Sequence, residues 1–272
     1  MRRPSSVTRY LASAAVTALL ASGLGGCQTM GDVAGALTSK STEANLDSDP
    51  RRAAEVYGER YRANPKDTDA ALRYGQVLRS TGQRAQAVAM LEQASITNPG
   101  NKALLASYGR ALVDNGNFKQ AYDVLSRAHS PANPDWRILS VQGTALDQMG
   151  RHPEARRYYT SALQIAPDEP SVLSNLGLSY VLSKELPKAE ETLRRAQATG
   201  RADARVRQNL ALAVGLQGRF AEAETIVKAD LPADEAAANV AYLKQMLNRK
   251  DTPRTASRNG KPPVVAFSPS DD

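Results

Sequence analysis

Cysteine is almost missing from these 272 residues, and Cys27 stands alone. One thiol forms no internal disulfide and builds no thiolate metal cluster, so the fold must be held by its core. Histidine occurs only at 129 and 152, and neither lies in a Cys, His or carboxylate cluster with metal-ligand spacing; His152 reads as a packing or solvent residue, and His129 ends a helix, where an imidazole suits the negative end of the dipole. Aromatics make up 5% of the chain while alanine is abundant, which favours closely packed helices over a β-sandwich or barrel. No Gly-rich loop follows a strand, and NGKPP at 259–263 lacks the other elements of a phosphate-binding loop. These absences point to an all-α, non-enzymatic protein with no cofactor and no catalytic or metal residue.

Acidic residues are missing from the first 26 positions, which carry Arg2, Arg3 and Arg9, then the apolar segment Leu11 to Leu24, then small residues. That order is the layout of an export signal over 1–26. A transmembrane anchor is the weaker reading, because Ser, Thr and Gly dilute a segment that is already short of about 20 strongly apolar residues. After it, no stretch approaches membrane-spanning length.

The formal net charge is +7, but three units fall in the leader and a net four fall between Arg249 and Lys261. The stretch between them is near neutral. A basic excess confined to a leader and a tail, rather than to a folded face, argues against nucleic acid as a partner.

A period of 34 residues runs through the middle of the chain. Gly75, Gly109, Gly143 and Gly177 mark it, with Ala211 in the fifth place, and Ala87, Ala121, Ala155, Ala189 and Ala223 follow at a constant offset of 12. A larger column holds Leu91, Leu125, Tyr159, Leu193 and Val227; another holds Ala94, Ala128, Ala162 and Ala196, where the last repeat has Asp230. Pro65, Pro99 and Pro167 sit where a second helix should stop. Asp67, Asn101, Asp135, Glu169 and Asp203 then recur at the junction, where a side chain can accept the free N–H groups of the next helix. Each period is a helical hairpin that buries its apolar stripe only by stacking on its neighbours.

This pattern, best kept in LSNLGLSYVLSKELPKAEETLRRAQ at 173–197, resembles the tetratricopeptide repeat (TPR) family. The resemblance implies a right-handed α–α superhelix of TPR hairpins. Five repeats follow, at 68–101, 102–135, 136–169, 170–203 and a degenerate 204–237. A half repeat at 49–67 precedes them, a capping helix at 234–250 overlaps their end, and 27–48 and 251–272 are a linker and a basic tail with no fold of their own. The turn inside each repeat carries Gly82, Gly116, Gly150 and Gly218, but Lys184 in the fourth, so a strained or differently shaped turn is expected there.

In TPR proteins the first helices line a concave groove that receives a protein or peptide partner. Mapped onto this chain, that lining includes Arg73, Gln76, Arg110, Arg137 and Arg205, together with Asn175, Asn209, Leu178, Leu182 and Leu212. Asn175 and Asn209 resemble the rungs by which some TPR grooves hold an extended backbone, since a carboxamide donates and accepts at once. LALAVGLQG at 210–218 is apolar nearly all round and needs cover on two faces. Either the chain's own capping helix or PPVVAF at 262–267 supplies it, or a partner's apolar segment does.

Leu24-Gly25-Gly26-Cys27 looks like a bacterial lipobox, which implies that Cys27 is lipidated and becomes the new N-terminus. Gly25 is a small departure from the usual pattern, and Gln28 implies passage to the outer membrane. Several acyl chains hold a protein on a membrane where one does not. A chain with this layout is similar to the TadD-like TPR lipoproteins of tight-adherence (Tad) pilus systems. That resemblance implies a non-catalytic factor, lipid-anchored at the periplasmic face of the outer membrane, with a secretin or other pilus component as partner. A general envelope adaptor recruiting peptidoglycan enzymes or outer-membrane assembly factors stays open beside it.

Overall fold

The junction residues and the intra-repeat turns divide the chain into helices of regular length. The computed structural model describes residues 49–130 and 132–249. Cys27, the leader, the linker 27–48 and the tail from 251 with its PPVVAF lie outside them. Among the described residues there are twelve α-helices and no strand. Helix α1 (Pro50–Ala63) precedes five hairpins: α2 (Thr68–Ser80) with α3 (Arg84–Thr97), α4 (Lys102–Asp114) with α5 (Phe118–Ala128), and α6 (Trp136–Gln148) with α7 (His152–Ile165). Then come α8 (Pro170–Leu182) with α9 (Leu186–Ala198), α10 (Ala204–Leu216) with α11 (Phe220–Val227), and a last helix α12 (Ala233–Arg249). The result is an all-α solenoid of stacked helical hairpins.

Two kinds of helix start alternate. Each first helix is capped by a junction side chain: Asp67 accepts from the Ala70 N–H at 3.0 Å, Asn101 from Leu104 at 3.1 Å, Asp135 from Arg137 at 2.8 Å and Asp203 from Val206 at 2.9 Å. The second helices have no such cap. Their entry is set from behind, by a bond that spans the turn: the Gln83 N–H reaches the Leu78 carbonyl at 2.8 Å, and the Asn117 N–H reaches that of Leu112 at 2.8 Å. Such a closure needs a left-handed residue between the helices. Gly116 supplies it at φ +83°; in the fourth repeat Lys184 takes φ +62°, so the turn keeps its shape and the lysine carries the strain.

Packing inside a repeat follows the two columns seen in the sequence. Ala87, Ala121, Ala155, Ala189 and Ala223 are all fully buried. The glycine column faces the larger one: a Cβ on Gly177 would stand 2.5 Å from Leu193 Cγ, and one on Gly143 would stand 2.5 Å from Tyr159 Cε1. Where the fifth repeat has Ala211 instead of Gly, the facing residue shrinks to Val227, and both are buried. Each buried Leu or Val stabilises the stack by about 1.5–3 kcal/mol relative to exposure, so no single repeat is dispensable to its neighbours.

The fifth hairpin is shorter at its second helix for a visible reason. Asp230 stands in the column that is buried alanine elsewhere, and a carboxylate is not buried there unpaired. Helix α11 ends at Val227, and Asp230 instead forms an ion pair with Arg207. The end of the stack is closed by α12: Ala236 and Val240 are buried with Leu210, Val214 and Ala223, and Leu243 lies over Gly215, where a Cβ would be only 2.5 Å away. The second apolar face of α10 is thus covered by the chain's own helix.

Candidate partner-binding groove

The backbones of consecutive first helices pack directly against one another, whereas consecutive second helices meet through long side chains, as where Tyr122 Oη lies 2.7 Å from Tyr158 Oη. The first-helix layer (α2, α4, α6, α8, α10) is the more closely spaced of the two and forms the inner face. Direct neighbours in that layer are residues 35 apart. Asn175 donates to Ser140 Oγ at 3.0 Å, Asn209 to Ser174 Oγ at 2.9 Å, and Arg79 Nε to Asp114 Oδ2 at 2.5 Å. The last is an ion pair whose two side chains are each 9% exposed.

A cavity of about 80 Å³ opens on this layer, bounded by Arg79, Arg110, Asp114, Trp136, Arg137, Ser140, Val141, Thr144, Ser171, Asn175 and Arg205. Four arginines face one aspartate, and that aspartate is already paired with Arg79. Arg137 lies at the exposed rim with its guanidinium carbon 4.4 Å from the centre of the Trp136 ring, a cation–π stack that fixes its direction. Arg110 is mostly buried; burial, and then the nearby Arg79, pull its guanidinium below the usual arginine range. Arg205 has a buried Nε with no hydrogen-bond partner, and its nearest carboxylate oxygen, Asp203 Oδ2, is 3.8 Å off.

The residues expected from sequence are distributed unevenly. Arg110, Arg137, Asn175 and Arg205 come together around the cavity. Arg73 is half-exposed, its guanidinium 5.8 Å from the Tyr57 ring centre and its Nε 3.7 Å from Asp69, and Gln76 is exposed. Leu178 and Leu212 are half-buried and Leu182 is 45% exposed. The asparagines act first as brackets between repeats: Asn209 is buried, and each side chain gives an N–H to the serine of the preceding first helix.

A second polar cluster had no counterpart in the sequence reading. Asp147, on α6, is buried and accepts from Tyr159 Oη at 2.9 Å on Oδ2 and from Ser179 Oγ at 2.7 Å on Oδ1, and His152 Nδ1 lies 2.9 Å from that same Oδ1. It ties α6, α7 and α8 together at one point. The signal was present as the only acid in its column, opposite the only tyrosine in the large column. His152, expected as a packing or solvent residue, is half-buried and completes this cluster.

The tetratricopeptide repeat pattern matches residues 45–106, 78–142 and 148–213, together more than half of the chain. The chain belongs to the tetratricopeptide repeat family. Among curated proteins none matches it. Similar solved structures include a chain of the APC/C hetero-tetramer Cut9–Hcn1, 16% identical with a TM-score of 0.62 over 76% of this chain. The TPR chain spans only 42% of that protein's length. PilW, titled a widely conserved type IV pilus biogenesis factor, is 19% identical with a TM-score of 0.64 over 77% of this chain and 98% of its own. PilF of Pseudomonas aeruginosa is 16% identical with a TM-score of 0.53, covering 80% and 93%. At such identities these likenesses show the fold alone. TPR proteins bind protein or peptide partners in a groove, and the fold is typically a non-catalytic interaction scaffold.

Proposed function

We propose that this TPR protein is a non-catalytic scaffold of pilus assembly, held by lipid on Cys27 at the periplasmic face of the outer membrane, whose groove receives a pilus component such as a secretin. The observation that carries the reading is the inner face itself. It runs through five repeats, opens a charged cavity at Arg110, and leaves Leu182 exposed beside half-buried Leu178 and Leu212. An exposed large aliphatic side chain on the same first-helix layer as a charged cavity suits a partner segment with both kinds of side chain. The lipobox-like Leu24-Gly25-Gly26-Cys27 supports the anchor, and the pilus factors PilW and PilF among the similar folds support the setting.

Crosslinking and capture from native membranes, with wild type, Leu182→Glu and Cys27→Ser compared, tests it. Wild type should retain a pilus assembly component, Leu182→Glu should lose it while staying in the membrane fraction, and Cys27→Ser should leave that fraction with its repeats folded. A partner profile identical in all three, or capture only of peptidoglycan enzymes, sinks the pilus reading.

A further inference from the structure

The inner face is not chemically uniform, and its most unusual group is Arg110. Among the described residues its guanidinium has no hydrogen-bond or ion-pair partner, although it is mostly buried. None of its guanidinium nitrogens is buried outright without a partner, so the charge still meets water in the cavity, and the acceptor of a bound group can take the place of that water. The carboxylate nearest in the cavity, Asp114, is held by Arg79. The other acids acting around the cavity, Asp135 and Asp203, are the caps of their own helices, each accepting a backbone N–H. Arg205 adds a second cation whose buried Nε has no hydrogen bond and only a loose ion pair, 3.8 Å from Asp203 Oδ2. Two guanidinium groups on the same cavity are therefore short of hydrogen-bond acceptors.

We propose that this cavity is the receptor for the carboxylate of an acidic side chain, Asp or Glu, presented by the partner segment that docks in the groove. The inference rests on the groove reading given above and adds the partner's chemistry to it. Size supports it: about 80 Å³ is the room of two or three water molecules, enough for the head of one side chain and too little for a nucleotide or a cofactor. Geometry supports it as well, since the planar fork of Arg matches the two oxygens of a carboxylate. Trp136 and Val141 give the wall an apolar part, which strengthens a charge-assisted bond made beside it. Asn175, fixed through Ser140, is a further neutral donor at the edge.

Fluorescence anisotropy on the full chain tests this, with a short labelled peptide of alternating Glu and Leu, its Gln counterpart and a single-stranded oligonucleotide as probes. The Glu peptide should bind more tightly than the Gln peptide and weaken with salt. Arg110→Gln should cost about 10- to 100-fold in affinity, the size of one charge-assisted hydrogen bond. Arg137→Gln, at the exposed rim, should leave the fold intact and weaken binding in the same direction, so a misfolded Arg110 variant does not rescue or sink the idea by itself. Equal binding of the Glu and Gln peptides, preference for the oligonucleotide, or unchanged affinity in both variants overturns it. If the Gln peptide binds as well as the Glu peptide and both are lost with Leu182→Glu, the groove reading survives and only the acid preference falls.

Discussion

Tyr159 lies across Gly143, and the absence of a side chain at 143 is what lets the phenol through to Asp147. A Cβ on Gly143 would meet Tyr159 Cε1 at 2.5 Å, while the Tyr159 hydroxyl donates to Asp147 Oδ2 at 2.9 Å. Gly143→Ala should therefore destabilise the protein by about 1–3 kcal/mol through overpacking, with the Asp147 bond strained as well. Gly177→Ala, facing Leu193, should cost less, because Leu193 has no hydrogen bond to lose when it shifts away from the new methyl. Urea unfolding of the two variants should rank them in that order; equal midpoints would mean that Tyr159 is not held in place by Asp147.

Asp147 joins three helices through one carboxylate, so it should be worth more than any one of its contacts. Asp147→Ala leaves the buried Tyr159 hydroxyl and Ser179 without their acceptor, and unsatisfied buried donors cost about 1–3 kcal/mol each. Tyr159→Phe removes one donor only and should cost about 1 kcal/mol. The double variant should be less destabilised than the sum of the two, because the phenol no longer needs a partner. Strict additivity in chemical denaturation would show that the two groups act independently.

Burial also fixes how stability responds to base. Tyr108 and Tyr158 are both pushed up to about 12, in each case first by desolvation, and the Tyr159 phenol is raised further by its burial and by Asp147. A tyrosine whose folded pKa lies above its unfolded one favours the native state while it stays protonated. That contribution is complete below the unfolded value near 10 and is lost as pH rises toward the folded value. The unfolding midpoint should fall steeply between about pH 10 and 12, and Tyr108→Phe or Tyr158→Phe should flatten the slope. A midpoint independent of pH across that window would contradict it.

The fold was open to reading because its rules are local and repeated. Gly177 facing Leu193, and the caps from Asp67 to Asp203, recur at fixed offsets, so a 34-residue period reveals them together. The groove was half open. The period placed Arg110, Arg137 and Arg205 on the inner face, but which of them are paired depends on neighbours 35 residues away, one step off the period. Arg79 with Asp114, Asn175 with Ser140 and Asn209 with Ser174 all obey that offset. A search at 35 would have shown that Asp114 is committed to Arg79 and that Asn209 is a bracket; a search at 34 aligns like with like. Burial of Arg110 was beyond either, since it depends on how closely the first helices approach.

Lys184 provides a last check on how strictly the turn geometry is imposed. Its φ of +62° is the conformation that glycine supplies in the other four repeats, and the flanking bonds, Lys184 N–H to Val181 O at 2.9 Å and Glu185 N–H to Tyr180 O at 2.9 Å, hold it there. The side chain is exposed, so nothing in the packing repays the left-handed backbone, which costs an L residue about 1–2 kcal/mol. Lys184→Gly should raise stability by about 1 kcal/mol despite the added freedom of the unfolded chain, and Gly116→Ala at φ +83° should lower it by a similar amount. Asp168 sets the contrast. It is also left-handed, at φ +58°, but its carboxylate is 2.6 Å from Arg195, so Asp168→Gly exchanges backbone relief for a lost ion pair and should come out near neutral. If thermal unfolding shows Lys184→Gly to be destabilising, the lysine side chain has a role in the turn that its exposure conceals.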